Sequence, residues 1–242
     1  MTAGATHRSR LALMLMTLAA LAGVILFSGL GIWQVQRLHC KTDLIARVEA
    51  RLAAAPVAAP GPADWAGVDA QADEYRRVEV AGRYDFGAEL LAKAVTGQGS
   101  GYWVMTPLVT DAGWRVWVNR GFVPDDRREA GARSQPAGEV RVTGLLRISQ
   151  PGGGFLRAND PAAGRWFSRD VAAMSAAQRI EAAPYFIDAD AQPGPDLLPV
   201  GGLTVVSFRN SHLSYALTWF AMAIGLAGGA WYALFRRPAD AD

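Results

Sequence analysis

The chain has 242 residues, and its charges nearly cancel: 24 basic and 22 acidic side chains leave a formal net charge of +2. This balance excludes the strongly basic surface that proteins use to hold nucleic acid, so we predict no nucleic-acid partner. The single cysteine, Cys40, excludes an intrachain disulfide and a zinc site built from cysteines. Three histidines leave few candidate metal ligands.

Two apolar segments without charged side chains lie near the two ends of the chain, at residues 11–33 and 213–235. A hydrocarbon core about 30 Å thick needs roughly 20 helical residues, so each segment predicts a transmembrane helix. A small-residue pattern around Ala22 could instead be a signal-peptidase site. The apolar segment continues well beyond it to Trp33, which favours a helix that is retained.

Short basic flanks predict the orientation of these two helices. The first ten residues contain Arg8 and Arg10 next to His7, and the segment after the second helix begins with Arg236 and Arg237. Such flanks stay in the cytoplasm, whereas a long segment between two helices is translocated largely regardless of its charge. The pattern predicts cytoplasmic tails at residues 1–10 and 236–242, and a translocated domain at residues 34–212.

The first helix is predicted to continue beyond the membrane surface. Apolar residues recur at helical spacing after Trp33, at Leu38, Ile45, Val48 and Leu52. Prolines from Pro56 onward forbid a longer helix, so residues 53–65 are predicted to be a connector. The alternative is a disordered linker that begins at Lys41.

The segment between the two apolar spans is predicted to be mainly β-structure. One helix is expected at residues 171–179, with Asp170 as its N-cap. Predicted strands occupy residues 77–80, 103–109, 114–118, 140–148, 185–187 and 204–209. Strands outnumber helices and no βαβ alternation is visible. The predicted fold class is therefore α+β: a two-helix transmembrane hairpin that anchors one translocated domain, built mainly on an antiparallel sheet or a partly closed barrel.

The loops carry weak motifs. Glycines at positions 97, 99 and 101 lack the Lys-Ser/Thr of a phosphate-binding loop and are predicted to form turns. The pair Asp188 and Asp190 lacks the glycine and glutamate of a calcium loop, which predicts a surface turn. A nucleophile elbow of the Gly-x-Ser-x-Gly type does not occur in the sequence. We therefore predict that the chain is not an enzyme.

The strongest candidate ligand is His212, immediately before the second apolar span. On a helix that begins near Asn210, Tyr215 and Trp219 share its face, and Arg209 lies just outside. An imidazole flanked by aromatic rings, with a cation nearby for propionates, suits a porphyrin whose iron His212 would ligate. The alternative is a histidine at headgroup level within an aromatic belt.

His39 lies at the corresponding end of the first span. Residues 39 and 212 reach a similar depth if the two helices pack together, which would allow a bis-histidine iron site; the alternative for His39 is a plain interfacial role. Gly225 and Gly229 could provide a close-approach surface for this packing or for the helix of a partner protein.

Several segments taken together resemble the Surfeit locus 1 family. The resemblance extends in order from Leu30 to about Phe235, within the same two-helix layout. The matching segments are LGIWQVQRL at residues 30–38 with Lys41 and residues 44–45, YRRV at 75–78, GRYD at 82–85, VNRGFVP at 118–124, GEV at 138–140, NDP at 159–161, Trp166 with residues 169–170, PYFID at 184–188, and RNSHLSYALTW at 209–219.

The resemblance implies an assembly factor for haem-copper cytochrome c oxidase in a bacterial inner membrane. It implies that the chain binds haem a, with His212 at the position of the family's proposed ligand, and assists insertion into catalytic subunit I. Subunit I, membrane lipid and the haem a synthase are the partners to expect. The alternative is a scaffold that binds the subunit without a cofactor. The chain departs from the family at Cys40, where tryptophan is common, and at His39, which is not a fixed histidine.

One arginine in the resembling segments has two interpretations. Arg120 lies between a predicted strand and a Gly/Pro turn. It could tie loop carbonyls together, or it could receive a propionate or a partner's carboxylate.

Overall fold

A computed structural model of the chain describes residues 3–154, 157–191, 198–204, 206 and 208–235. It divides into two compact units, each described by itself below. The helical unit comprises Met1–Ala46 and Ser207–Asp242, and the sheet unit comprises Arg47–Val206. The side chains of residues 1–10 and the whole of residues 236–242 lie outside the described part, so the basic flanks predicted to stay in the cytoplasm are not described.

Four α-helices and seven β-strands form the described structure, with short 3₁₀ turns between them. The helices are α1 (Ala3–Ala53), α2 (Ala70–Asp73), α3 (Val171–Gln178) and α4 (His212–Phe235). The strands are β1 (Val57–Ala58), β2 (Arg77–Tyr84), β3 (Leu90–Thr96), β4 (Gly99–Thr110), β5 (Arg115–Pro124), β6 (Val140–Ile148) and β7 (Tyr185–Ala189).

Helix α1 is continuous from the first apolar span into the charged segment that follows it. Its sequence has no proline, and it ends at Ala53, three residues before Pro56. The predicted continuation beyond Trp33 is confirmed, and the alternative of a disordered linker from Lys41 is wrong. By length and composition, Leu11–Ala53 and His212–Phe235 are both apolar enough to cross a membrane, which is consistent with membrane anchoring.

Within the helical unit, α1 and α4 approach each other at glycines of α1. A Cβ atom added to Gly31 would lie 2.5 Å from Cε1 of Phe220, and one added to Gly23 would lie 2.4 Å from Cδ2 of Leu226. By contrast, a Cβ atom at Gly225 or Gly229 would meet nothing within 4 Å. The described contact between these helices therefore does not use the predicted Gly225 and Gly229 surface. Its alternative use, by a partner's helix, stays a prediction.

The strands of the sheet unit form one mixed sheet in the order β1-β2-β6-β7-β5-β4-β3. Pairs β1–β2 and β5–β7 are parallel, and the other pairs are antiparallel. Strand β2 also pairs with β4 over three residues, where Gly82 leaves room for the carbonyl of Val109. The predicted α+β class with a mainly antiparallel sheet is confirmed, although two pairs are parallel, and the alternative of a partly closed barrel is corrected to a seven-stranded mixed sheet. Parallel neighbours need long connections, which the segments between β1 and β2 and between β5 and β7 provide.

Two apolar clusters occupy opposite faces of the sheet. Val116 and Val118 belong to one cluster and Trp117 between them to the other, because successive strand residues point to opposite faces. Helix α3 adds Val171 and Met174 to the cluster around Trp117. Its N-cap is Asp170 as predicted: the carboxylate accepts a hydrogen bond from the backbone N–H of Ala173 at 3.1 Å.

The strand predictions are confirmed for five of the seven strands, although β2, β4, β5 and β7 extend beyond the predicted residues. Strands β1 and β3 were not predicted. β1 has only two residues, and β3 is rich in alanine, which has a weak strand preference. The strand expected at residues 204–209 is wrong for the described residues of that range; Val205 and Ser207 lie outside them. The glycines expected in turns at positions 99 and 101 lie in β4.

Candidate functional site

The candidate ligand His212 is the first residue of α4. The side-chain oxygen of Asn210 accepts a hydrogen bond from the backbone N–H of His212 at 3.4 Å, and the carbonyl of Ser211 accepts one from the N–H of Tyr215 at 3.3 Å. A short polar side chain just before the first helical residue satisfies N–H groups that have no partner inside the helix. The sequence Asn-Ser-His thus places the imidazole at the helix start.

A hydrogen bond joins His212 to α1. Its Nδ1 atom lies 2.7 Å from Oε1 of Gln34, a residue that is 9% exposed. Sequence reasoning missed Gln34. A signal was present, because Gln34 follows Phe27 and Gly31 at spacings of seven and three residues, on the face of α1 that contacts α4.

Of the aromatic residues predicted to flank His212, Trp219 lies on the face of α4 that contacts α1. Its ring stacks on that of Phe27 with a centroid distance of 5.7 Å and an interplanar angle of 23°. Ala216, between His212 and Trp219 on that face, is buried. Tyr215 and Arg209 are exposed. The structure therefore brings His212 and Trp219 together with Gln34 and Phe27, and leaves Tyr215 and Arg209 outside this contact.

The second predicted histidine, His39, is exposed on α1. It follows Gln34 by five residues, which places it about 140° away around the helix axis. The α1 side chain that reaches His212 is therefore Gln34 and not His39. Cys40, the next residue, is also exposed and carries a free thiol.

The described residues around His212 provide one imidazole and a pair of stacked aromatic rings. Among residues 3–154, 157–191, 198–204, 206 and 208–235, no group of three or more His, Cys, Asp or Glu side chains could hold a metal ion. A porphyrin supplies four ligands to its iron, so one protein imidazole would suffice to hold such a group. The Phe27–Trp219 stack provides an apolar aromatic surface of the kind that packs against such a ring.

The sheet unit holds a buried ion cluster around Asp188, which is 3% exposed. Its Oδ1 accepts hydrogen bonds from Asn119 at 2.7 Å and from Arg169 at 2.8 Å, and its Oδ2 accepts one from Arg147 at 2.6 Å. Burial lowers the pKa of Arg169, and the charge of Asp188 opposes this shift. The prediction of a surface turn at Asp188 is wrong, because the residue belongs to β7 and its carboxylate pairs with two arginines.

A second buried cluster contains Arg120, which is 1% exposed. Its guanidinium donates to Oε2 of Glu89 at 3.2 Å and to the carbonyl of Ser134, and Arg133 donates to Oε1 of Glu89 at 2.5 Å. Burial raises the pKa of the neighbouring Tyr84 to about 12, although the charge of Arg120 partly opposes this. Of the two interpretations of Arg120, these contacts support the structural one, in which its guanidinium donates hydrogen bonds that connect the strand to a loop carbonyl.

Comparison with known proteins gives one consistent family. The chain is 37% identical to Surfeit locus protein 1 of Rattus norvegicus over 227 residues, which cover 86% of this chain and 71% of the relative. Surfeit locus protein 1 of Homo sapiens is also 37% identical, with coverage of 86% and 73%. A SURF1-like protein of Monosiga brevicollis is 37% identical, with coverage of 86% and 84%. The SURF1 family model matches residues 21–224. The chain therefore belongs to the SURF1 family.

Proposed function

We propose that this protein is an assembly factor for haem-copper cytochrome c oxidase that binds haem a and assists its insertion into catalytic subunit I. Membership of the SURF1 family, which is generally linked to oxidase assembly, supports the general role. The observation that carries the haem part is the position of His212: an imidazole at the start of an apolar helix, with Nδ1 bonded to Gln34.

In this proposal haem a is a cargo, and each residue of the site has a separate task. His212 would hold the iron through Nε2. Trp219, stacked on Phe27, offers an apolar surface for the ring, and Tyr215 can add a second aromatic contact from its exposed position. Arg209 is exposed just before the helix, where a guanidinium can pair with propionates in two parallel hydrogen bonds.

The second candidate function is a scaffold that binds the oxidase subunit without a cofactor. The same hydrogen bond between His212 and Gln34 favours it, because a bond between two helices also suits a purely structural role. Both functions require binding rather than catalysis, and we propose that the protein is not an enzyme. The partners are subunit I, membrane lipid and the haem a synthase that would supply the cargo.

The haem content of the purified protein separates the two functions. We expect full-length protein purified from cells that make haem a to show the pyridine haemochrome band of haem a. The matched control is the same protein from cells unable to make haem a, which should show no such band. The scaffold function predicts protein without haem that still co-purifies with subunit I. That result in haem a-producing cells would overturn the cargo proposal.

The proposed location is a bacterial inner membrane with both termini in the cytoplasm and residues 34–212 in the periplasm. The basic flanks and the two apolar helices support this topology. Alkaline phosphatase is active only in the periplasm, so a fusion at Gln135 should be active and a fusion after Asp242 inactive. The opposite activity pattern, or a mature chain that begins near Gly23, would contradict two membrane crossings.

A further inference from the structure

The hydrogen bond between Gln34 and His212 determines which nitrogen of the imidazole can bind iron. The contact atoms are Oε1 of Gln34 and Nδ1 of His212, 2.7 Å apart. An amide oxygen only accepts hydrogen bonds, so with Oε1 facing the ring this contact is made by the tautomer in which Nδ1 carries the proton and donates it. A neutral imidazole protonated at Nδ1 keeps its lone pair on Nε2.

We propose that Gln34 is a positioning residue for haem binding: it holds His212 in the tautomer and orientation that present Nε2 to the iron. This inference rests on the proposed function, in which His212 ligates haem a. Metal-binding histidines commonly donate their second N–H to a carboxylate or carbonyl oxygen, which fixes the ring and raises its basicity as a ligand. The amide oxygen of Gln34 provides this partner from the neighbouring helix.

The surroundings of Gln34 explain how a polar side chain reaches this position. Gly31, one turn before Gln34 on α1, lets Phe220 of α4 approach closely. One turn before Gly31, Phe27 stacks on Trp219 of α4. Gln34 itself is buried, with 9% of its surface exposed. A buried amide is costly unless it is hydrogen-bonded, so the bond to His212 is favoured in this apolar contact.

Two substitutions of Gln34 give opposite expectations for a bound haem. Gln34→Glu places a stronger acceptor opposite Nδ1, which increases the electron density on the imidazole and favours ferric iron. Gln34→Leu keeps a similar volume but removes the acceptor, so the ring loses its fixed orientation. Loss of such a partner of a metal ligand typically costs about 10–100-fold in affinity.

The experiment compares full-length wild-type protein with both variants after co-expression with haem a synthesis. We expect Gln34→Glu to retain haem a at the wild-type level and to lower its reduction midpoint potential. We expect Gln34→Leu to bind haem a about 10–100-fold more weakly, as for the loss of a ligand's hydrogen-bond partner, so that it retains less haem a after purification, and to raise the midpoint of what remains. Gln36→Glu is the matched control, since Gln36 is exposed on the same helix, and it should change neither quantity.

The outcomes distinguish this inference from the proposed function. If wild-type protein holds haem a, and both Gln34 variants keep the wild-type haem content and midpoint potential, Gln34 only ties the helices together and the inference is overturned. If wild-type protein holds no haem a, the proposed function fails and the inference fails with it. Should Gln34→Leu not fold, the midpoint shift of Gln34→Glu relative to Gln36→Glu decides the question.

Discussion

The His212→Ala protein is expected to lose its bound haem a while it still folds and inserts into the membrane. The substitution removes the proposed axial ligand but leaves the Phe27–Trp219 stack, which cannot coordinate iron. Partners of a metal ligand are worth about 10–100-fold in affinity, so loss of the ligand itself should cost at least as much. The measurement is the Soret absorbance of haem a per protein, with circular dichroism as the check on folding.

Three further variants test the specificity of this effect. Trp219→Ala should weaken haem retention by removing a packing surface, and by less than His212→Ala. His39→Ala should lower the haem content only if the iron is held by two histidines; because His39 is exposed on α1, away from the Gln34 face, we expect no change. In a His212→Gly variant, added imidazole should restore part of the Soret band. A wild-type haem a spectrum in His212→Ala protein would show that the ligand assignment is wrong.

The second large effect is expected for Asp188→Ala, which should destabilise the sheet unit by about 3–5 kcal/mol. The substitution removes the carboxylate that the buried guanidinium groups of Arg147 and Arg169 both contact; Arg147 keeps its ion pair with Glu74, whereas Arg169 loses the carboxylate with which it pairs. Removing one partner of a buried ion pair leaves an uncompensated charge in a poorly solvated place. Urea unfolding of the full-length protein in detergent, followed by tryptophan fluorescence, measures the free energy of unfolding.

Asp190→Ala is the matched control, two residues further along the chain. Its carboxylate also pairs with an arginine, Arg77, at 2.5 Å, but the side chain of Asp190 is 41% exposed. An exposed ion pair contributes about 0–1 kcal/mol, so this variant should stay close to the wild type. If Asp188→Ala does not fold, Asp188→Asn should show an intermediate loss. Equal stability of the Asp188 and Asp190 variants would contradict the structural role of the buried cluster.

Local sequence patterns account for the elements of the fold better than for its buried polar contacts. The end of α1 follows from Pro56, and β6 coincides with the predicted residues 140–148 because the β-branched residues Val140 and Ile148 mark its two ends. Asp188, by contrast, is followed by Ala189 and Asp190, and this local sequence predicts a turn. Its partners Asn119 and Arg147 lie 69 and 41 residues away, so only the sheet topology reveals that it is buried.

At the candidate site, too, the sequence predicts the local feature but not the long-range contact. His212 could be identified from its neighbours in sequence, since helical spacing alone places Trp219 on the same face. Gln34 lies 178 residues from His212, and its role depends on the way in which α1 meets α4. The apolar character of the two helices predicts that they can pack, but it does not specify which residues face each other. That information comes from the close approach at Gly31.

The central position of β7 has a consequence for synthesis and truncation. This strand is the last of the seven in the chain, yet it lies between β6 and β5 and pairs with both. A nascent chain therefore cannot complete its sheet until residues 185–189 have emerged, and contacts between such distant segments form slowly. A chain that stops before Tyr185 would leave two unpaired strand edges, which promote aggregation. Premature termination late in the sequence should thus yield misfolded protein for degradation rather than a shortened domain.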